Sequence, residues 1–155
     1  MFRVMSISLI LLFASVSTAI AKPKALIPHL QARGVQKHEA KTIGTALCHA
    51  VSKLKLYELI CSDDLQAMVK WNARAAQLNA CQKDDCLTEV ADAMKAKILI
   101  SGSLSKIDSD YVLAIAIMDV HSGKVQKRIE LKRPGLSKLY DAVADAVAAL
   151  LVQPK

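Results

Sequence analysis

The stretch Lys97–Leu131, KILISGSLSKIDSDYVLAIAIMDVHSGKVQKRIEL, decides the fold, because it reads as three consecutive β-strands. Ile98, Leu99 and Ile100 form an unbroken apolar run, too short for an ordinary helix, which suits a strand covered on both faces. Gly102 follows, and its missing side chain lets another backbone or a bulge come close. Tyr111 to Val120 is again almost wholly apolar, and Asp108-Ser109-Asp110 before it has turn composition. A second turn falls at His121-Ser122-Gly123-Lys124, where Gly123 is free to take positive φ. Val125, Lys127, Ile129 and Leu131 then alternate with Gln126, Arg128, Glu130 and Lys132, as in a half-exposed edge strand. The three strands predict an antiparallel meander with a buried centre and a charged edge.

Around this meander lies enough chain for one domain: 155 residues, 53% of them hydrophobic. Part of that apolar content is not core. Residues 1–21 open with Arg3, pass through the apolar run Ile7 to Val16 and end in Ala19-Ile20-Ala21, as a secretory signal does. The run is shorter than the roughly 20 residues of a spanning helix. The expectation is a cleaved signal peptide, a domain over 22–155 and no transmembrane segment after cleavage; an uncleaved anchor is the alternative. No cysteine ends the signal, so lipid attachment is not expected. Localisation would be periplasmic or secreted.

Four cysteines suit an oxidising compartment. Cys81 and Cys86, in NACQKDDCLTEV, are close enough to pair, closing a small ring worth about 2 kcal/mol. For Cys48 and Cys61 two readings stay open. A helix doubling back into a strand brings them level, about 7 residues at 1.5 Å against about 4 at 3.3 Å. Packed layers, however, stand near 10 Å apart, farther than the roughly 4.4 to 6.8 Å between disulfide-bonded Cα atoms, so two buried thiols are the alternative.

The formal charge is +7, and removal of Arg3 with the signal leaves +6. Export makes nucleic acid an unsuitable partner. Lys127, Arg128, Lys132 and Arg133 lie near one strand and could meet an anionic cell-wall polymer, lipopolysaccharide or an acidic partner protein. A solvated edge strand guarded against aggregation by its lysines is the simpler reading.

In chain order, Ala25 to Leu30 reads as a first strand that Pro28 confines to an edge or bulge. Ile43, Leu47, Val51 and Leu54 share one face of a helix over 37–55. Tyr57–Cys61 is a second strand, and Ser62-Asp63-Asp64 caps a helix whose inward stripe is Leu65, Met68, Val69 and Ala76. Asp84-Asp85 caps the helix 86–96, where Leu87, Val90, Ala91 and Met94 recur at helical spacing. After Arg133-Pro134-Gly135, Leu136 to Leu151 closes the chain as an amphipathic helix. The order β-α-β-α-α-β-β-β-α predicts an α/β sandwich of two or three layers, a mixed sheet of about five strands with about four helices.

No constellation carries chemistry. Asp63-Asp64 and Asp84-Asp85 sit at helix starts, where capping explains them better than acid/base work. Cys48-His49 with Cys61, and His29, His38 and His121, show no zinc spacing, so no metal or other cofactor is expected. Ser101, Ser103 and Ser105 lack a nucleophile elbow. Contact residues are better candidates: Trp71, which could instead lid the cysteine loop, and Asn79, Lys83 and Asp84 on that loop.

The segment CQKDDCLTEVADAMKAKILISGSLSKIDSDYVLAIAIMDVHSGKV, with SDDL after the second strand, resembles the bacterial envelope proteins sharing the TolB amino-terminal-domain fold, the CsgG–FlgO–LpoB type. Its marks are an apolar strand, a Gly-Ser step, a Tyr-led strand ending in Asp and a Ser-Gly hairpin, over about Lys24 to Leu151. The resemblance implies a non-enzymatic accessory or adaptor domain binding another envelope component, protein or cell-wall polymer. It transfers no functional residue and no oligomeric state, and the pore-building insertions of CsgG are missing here. The rival expectation is a secreted small-molecule- or glycan-binding domain, or an enzyme, with a polar pocket near His49 or His121.

Overall fold

The structure is a computed structural model that describes residues 21–64 and 84–152. Its elements are β1 (Lys24–Ile27), β2 (Gln31–Arg33), α1 (Lys37–Lys53), β3 (Glu58–Cys61), α2 (Asp84–Ala93), β4 (Ile98–Ile107), β5 (Asp110–Asp119), β6 (Lys124–Pro134) and α3 (Leu136–Val152). They build one mixed α/β sheet in the order β3-β1-β4-β5-β6, with β2 also paired to β4. The β4–β5–β6 meander is antiparallel throughout, whereas β1 pairs in parallel with both β3 and β4.

Of the two settings expected for Pro28, an edge or a bulge, the edge is not met, because β1 lies inside the sheet, between β3 and β4. The pairing with β4 does gain one residue across Pro28, from Leu26–Leu99 to Gln31–Ser103, as at a bulge. Pro28 instead ends β1: a residue without N–H cannot continue the ladder. The line along β4 resumes three residues later as β2, which the sequence did not announce, through Gln31–Ser103, Ala32–Leu104 and Arg33–Ser105. Gly34, at φ +68, then turns the chain into α1.

Handedness places the helices. From β1 to β3 the chain moves one way across the sheet through α1, and from β3 to β4 it moves back through α2. Right-handed crossovers in opposite directions put their helices on opposite faces. Accordingly Ile27, Ile100, Leu113 and Ile117 face α1 and α3 in one core, with Ile43, Leu47, Leu139 and Val147. Leu26, Leu99 and Met118 point the other way, onto Leu87, Val90 and Ala91 of α2. Adjacent β1 and β4 residues thus serve two cores, which is why ALI and ILI are continuous apolar runs rather than alternations.

Helix boundaries follow local chemistry. Glu39 Oε2 accepts the Gln36 N–H at 2.8 Å at the start of α1, a reciprocal cap. α2 begins at Asp84, so Asp84 and Asp85 lie within the helix rather than before it. Ser62–Asp64 is already helical, and Asp64 Oδ2 accepts the Cys61 N–H at 3.1 Å. The stripe expected from Leu65 to Ala76 lies outside the described residues.

Candidate partner-contact surface

β6 is one edge of the sheet, and its alternation divides the four basic candidates between two faces. Ile129 and Leu131 pack toward α3. Lys127, on the same side, is half-buried and its Nζ donates to the Leu150 carbonyl at 3.0 Å, near the end of α3 where backbone acceptors lack helical partners. Arg133 stands opposite Tyr111, and its Nη1 donates to the Lys132 carbonyl at 2.8 Å. Arg128 and Lys132 face the opposite way.

On that opposite side the register assembles three rows: Ser101–Ala116–Arg128, Ser103–Ala114–Glu130 and Ser105–Val112–Lys132. The serines and alanines are half-buried. Beside them β2 adds Gln31 next to Ser103 and Arg33 next to Ser105, with Arg33 Nη2 donating to Gln31 Oε1 at 3.0 Å. Lys132 pairs with Asp110 at 3.1 Å. The result is a floor of small side chains with Arg33 on one margin and Arg128 and Lys132 on the other, while Glu130 and Asp110 temper the charge. Sequence reasoning missed Arg33 because it missed β2; the turn glycine Gly34, closing a short QAR segment, was the available signal.

Cys48 and Cys61 are disulfide-bonded, with Cα atoms 6.1 Å apart. The bond joins the half-buried side of α1 to the buried end of β3, and a short connection, 54–57, keeps helix and strand closer than two separate layers stand. Asp63 is tied to α1 as well, through Lys41 at 3.6 Å and the Thr45 hydroxyl at 3.4 Å. Cys86 is likewise disulfide-bonded. Cys81, Trp71, Asn79 and Lys83 lie outside the described residues, and Asp84 is placed only as the first residue of α2.

The titratable groups with shifted affinities serve structure. Tyr111 donates its phenol proton to Glu39 Oε1 at 2.7 Å. That bond, aided by the Gln36 N–H, holds the Glu39 carboxyl below its ordinary range and pushes the Tyr111 phenol up. Lys106 Nζ lies 5.2 Å from the Tyr111 ring centroid. Asp119, lowered by the Ser122 N–H and hydroxyl at 2.8 and 2.9 Å, fastens the β5–β6 turn. Among the described residues no polar side chain is buried, and no three His, Cys, Asp or Glu residues converge as metal ligands. His49 and His121 are each exposed.

Solved structures share this architecture. The LpoB C-terminal domain from Salmonella enterica matches with a TM-score of 0.57 at 15% identity, over 77% of this chain and 87% of that one. The fold is of the LpoB type. PelC, solved as a dodecamer from Paraburkholderia phytofirmans, matches with 0.58 at 12% identity over 84% of this chain and 88% of that one. The lipoprotein GNA1162 from Neisseria meningitidis matches with 0.56 at 10% over 81% and 96%. No protein-family model and no curated protein matches the chain in sequence. At such identities the LpoB-type likeness is one of fold. No helix among the described residues is long and apolar enough to cross a membrane.

Proposed function

We propose that this chain is a non-enzymatic accessory module of the bacterial envelope, exported by residues 1–21, that binds another envelope protein through the Ser/Ala rows of the sheet. The observation supporting this reading is the Ser/Ala floor of β4 and β5, bordered by Arg33, Arg128 and Lys132. Small side chains let a partner's backbone come close, and the long basic margins steer an acidic partner into register. The likeness to LpoB and PelC structures agrees with a binding module. A photo-crosslinking residue at Arg128, activated in living envelopes, tests it. A discrete adduct that disappears in the Ser103→Arg variant is the expected result; recovery of the uncrosslinked protein alone would count against it.

A further inference from the structure

One end of the sheet gathers lysines. β1, β3, β4 and β6 start there and β5 ends there, so register places Glu58, Lys24, Lys97, Asp119 and Lys124 along one rim. The helices also finish at this end. α1 and α2 run directly into β3 and β4, and α3 descends until Leu150 meets Lys127 near the start of β6. α1 and α2 even leave by the same device, Lys55 and Lys95 in the left-handed region at φ 54 and 58. Lys22, Lys53, Lys55, Lys95, Lys97 and Lys124 are all exposed. Lys24 is paired with Glu58 at 3.6 Å. Among the described residues, three carboxylates stand against these seven lysines, Glu58, Asp92 and Asp119, the last turned onto Ser122.

Helix C-termini attract cations, which accounts for Lys53 and Lys95. It does not account for their apolar company. Five large hydrophobic side chains are exposed among the described residues, and three are here: Leu56 at 40%, Val125 at 39% and Val152 at 60%. The described chain also enters at this end, through Lys22-Pro23 into β1.

From this juxtaposition we infer that the lysine-rimmed end docks on an anionic lipid surface. Ammonium groups on flexible stems reach the phosphates, while Leu56, Val125 and Val152 enter the interfacial layer. A soluble anionic polymer would use the lysines but leave the three apolar side chains in water, so the lipid surface is the better fit. The inference uses none of the residues assigned to the partner contact and stands or falls apart from it.

The test is sedimentation of the full chain, as recovered from the envelope of expressing cells, with phosphatidylcholine vesicles containing or lacking phosphatidylglycerol. Binding should require the anionic lipid and fade toward about 0.5 M salt, where the screening length falls to a few ångströms. Since each lysine near such a surface contributes measurably, Lys55→Glu/Lys95→Glu/Lys124→Glu should weaken binding on the order of a hundredfold at least. Leu56→Ser/Val125→Ser should weaken it at unchanged charge, with melting by circular dichroism confirming the fold of both variants. Equal binding to the two vesicle types would overturn the inference, as would salt-insensitive binding of the unaltered protein. So would binding to soluble polyglutamate as tight as to vesicles and indifferent to Leu56→Ser/Val125→Ser.

Discussion

Leu30 reaches its place in the core by lying against Gly102. A Cβ built on Gly102 would stand 3.0 Å from Leu30 Cδ2 and 2.5 Å from the Ala114 carbonyl oxygen. On the far side of Leu30 is Gly44 of α1, where an added Cβ would meet Leu30 Cγ at 3.6 Å. Leu30, two residues past Pro28, is thus held between helix and sheet by two residues without side chains.

The two glycines should respond oppositely to one methyl group. Gly102→Ala drives a carbon into the backbone of a paired strand, which cannot give way as a side-chain tip would, and should cost about 1–3 kcal/mol. Gly44→Ala makes only ordinary contact and gains up to about 1 kcal/mol of helix propensity. Urea denaturation of both variants checks the pair; a Gly102→Ala protein as stable as the parent would show that the strands can part.

Much of this arrangement was legible in the sequence, and the gaps have physical causes. The meander could be read because periodicity and turn residues agree: Gly123 takes φ +64, and Asp108-Ser109 closes the β4–β5 hairpin. The double-sided core was legible in ILI. What could not be read was where β1 sits, since Pro28 announces a break in a ladder but not which side of the break is interior. β2, three residues long, carries no period at all. Among the candidate contacts, Lys127 and Arg128 look equivalent as letters, and only strand pairing shows that one caps α3 while the other borders the Ser/Ala rows.

That difference between neighbours is measurable. Lys127→Met removes a donor from the Leu150 carbonyl and should lower stability by about 0.5–1.5 kcal/mol, the usual net worth of such a bond. Arg128→Met, at an exposed position, should leave stability within about 0.5 kcal/mol while weakening partner capture. Thermal melts and envelope crosslinking of the two variants, run side by side, separate the roles.

The Cys48–Cys61 bond closes a loop with a sequence separation of 13, for which chain-entropy reasoning gives about 3 kcal/mol. Among the described residues β3 has one strand neighbour, β1, and the bond adds an attachment to α1 beyond that strand pairing. Cys48→Ala/Cys61→Ala should therefore lower the unfolding free energy by about 2–3 kcal/mol, less any adjustment in the native state. Denaturation under non-reducing conditions measures it, and peptide mapping of the same sample shows the Cys81–Cys86 pairing expected from the sequence.

Acid should loosen the protein through Glu39 and Asp119. Both carboxyls hold their protons less tightly when folded: Glu39 because it accepts from Tyr111 and from the Gln36 N–H, Asp119 because it accepts from Ser122. A lowered folded pKa contributes stability that is present above the unfolded value, about 4 to 4.5, and is lost as the pH falls through the lower folded one. Tyr111 carries the opposite sign. Its raised pKa favours the neutral phenol, so its contribution is complete below about pH 10 and lost above it. Glu39→Gln should flatten the decline of melting temperature below pH 5, and Tyr111→Phe should reduce both the acid slope and the alkaline one. If Tyr111→Phe changed the alkaline slope alone, the phenol would not be what lowers Glu39, and the tie between the β4–β5 hairpin and the first turn of α1 would have to rest on Lys106 over the ring instead.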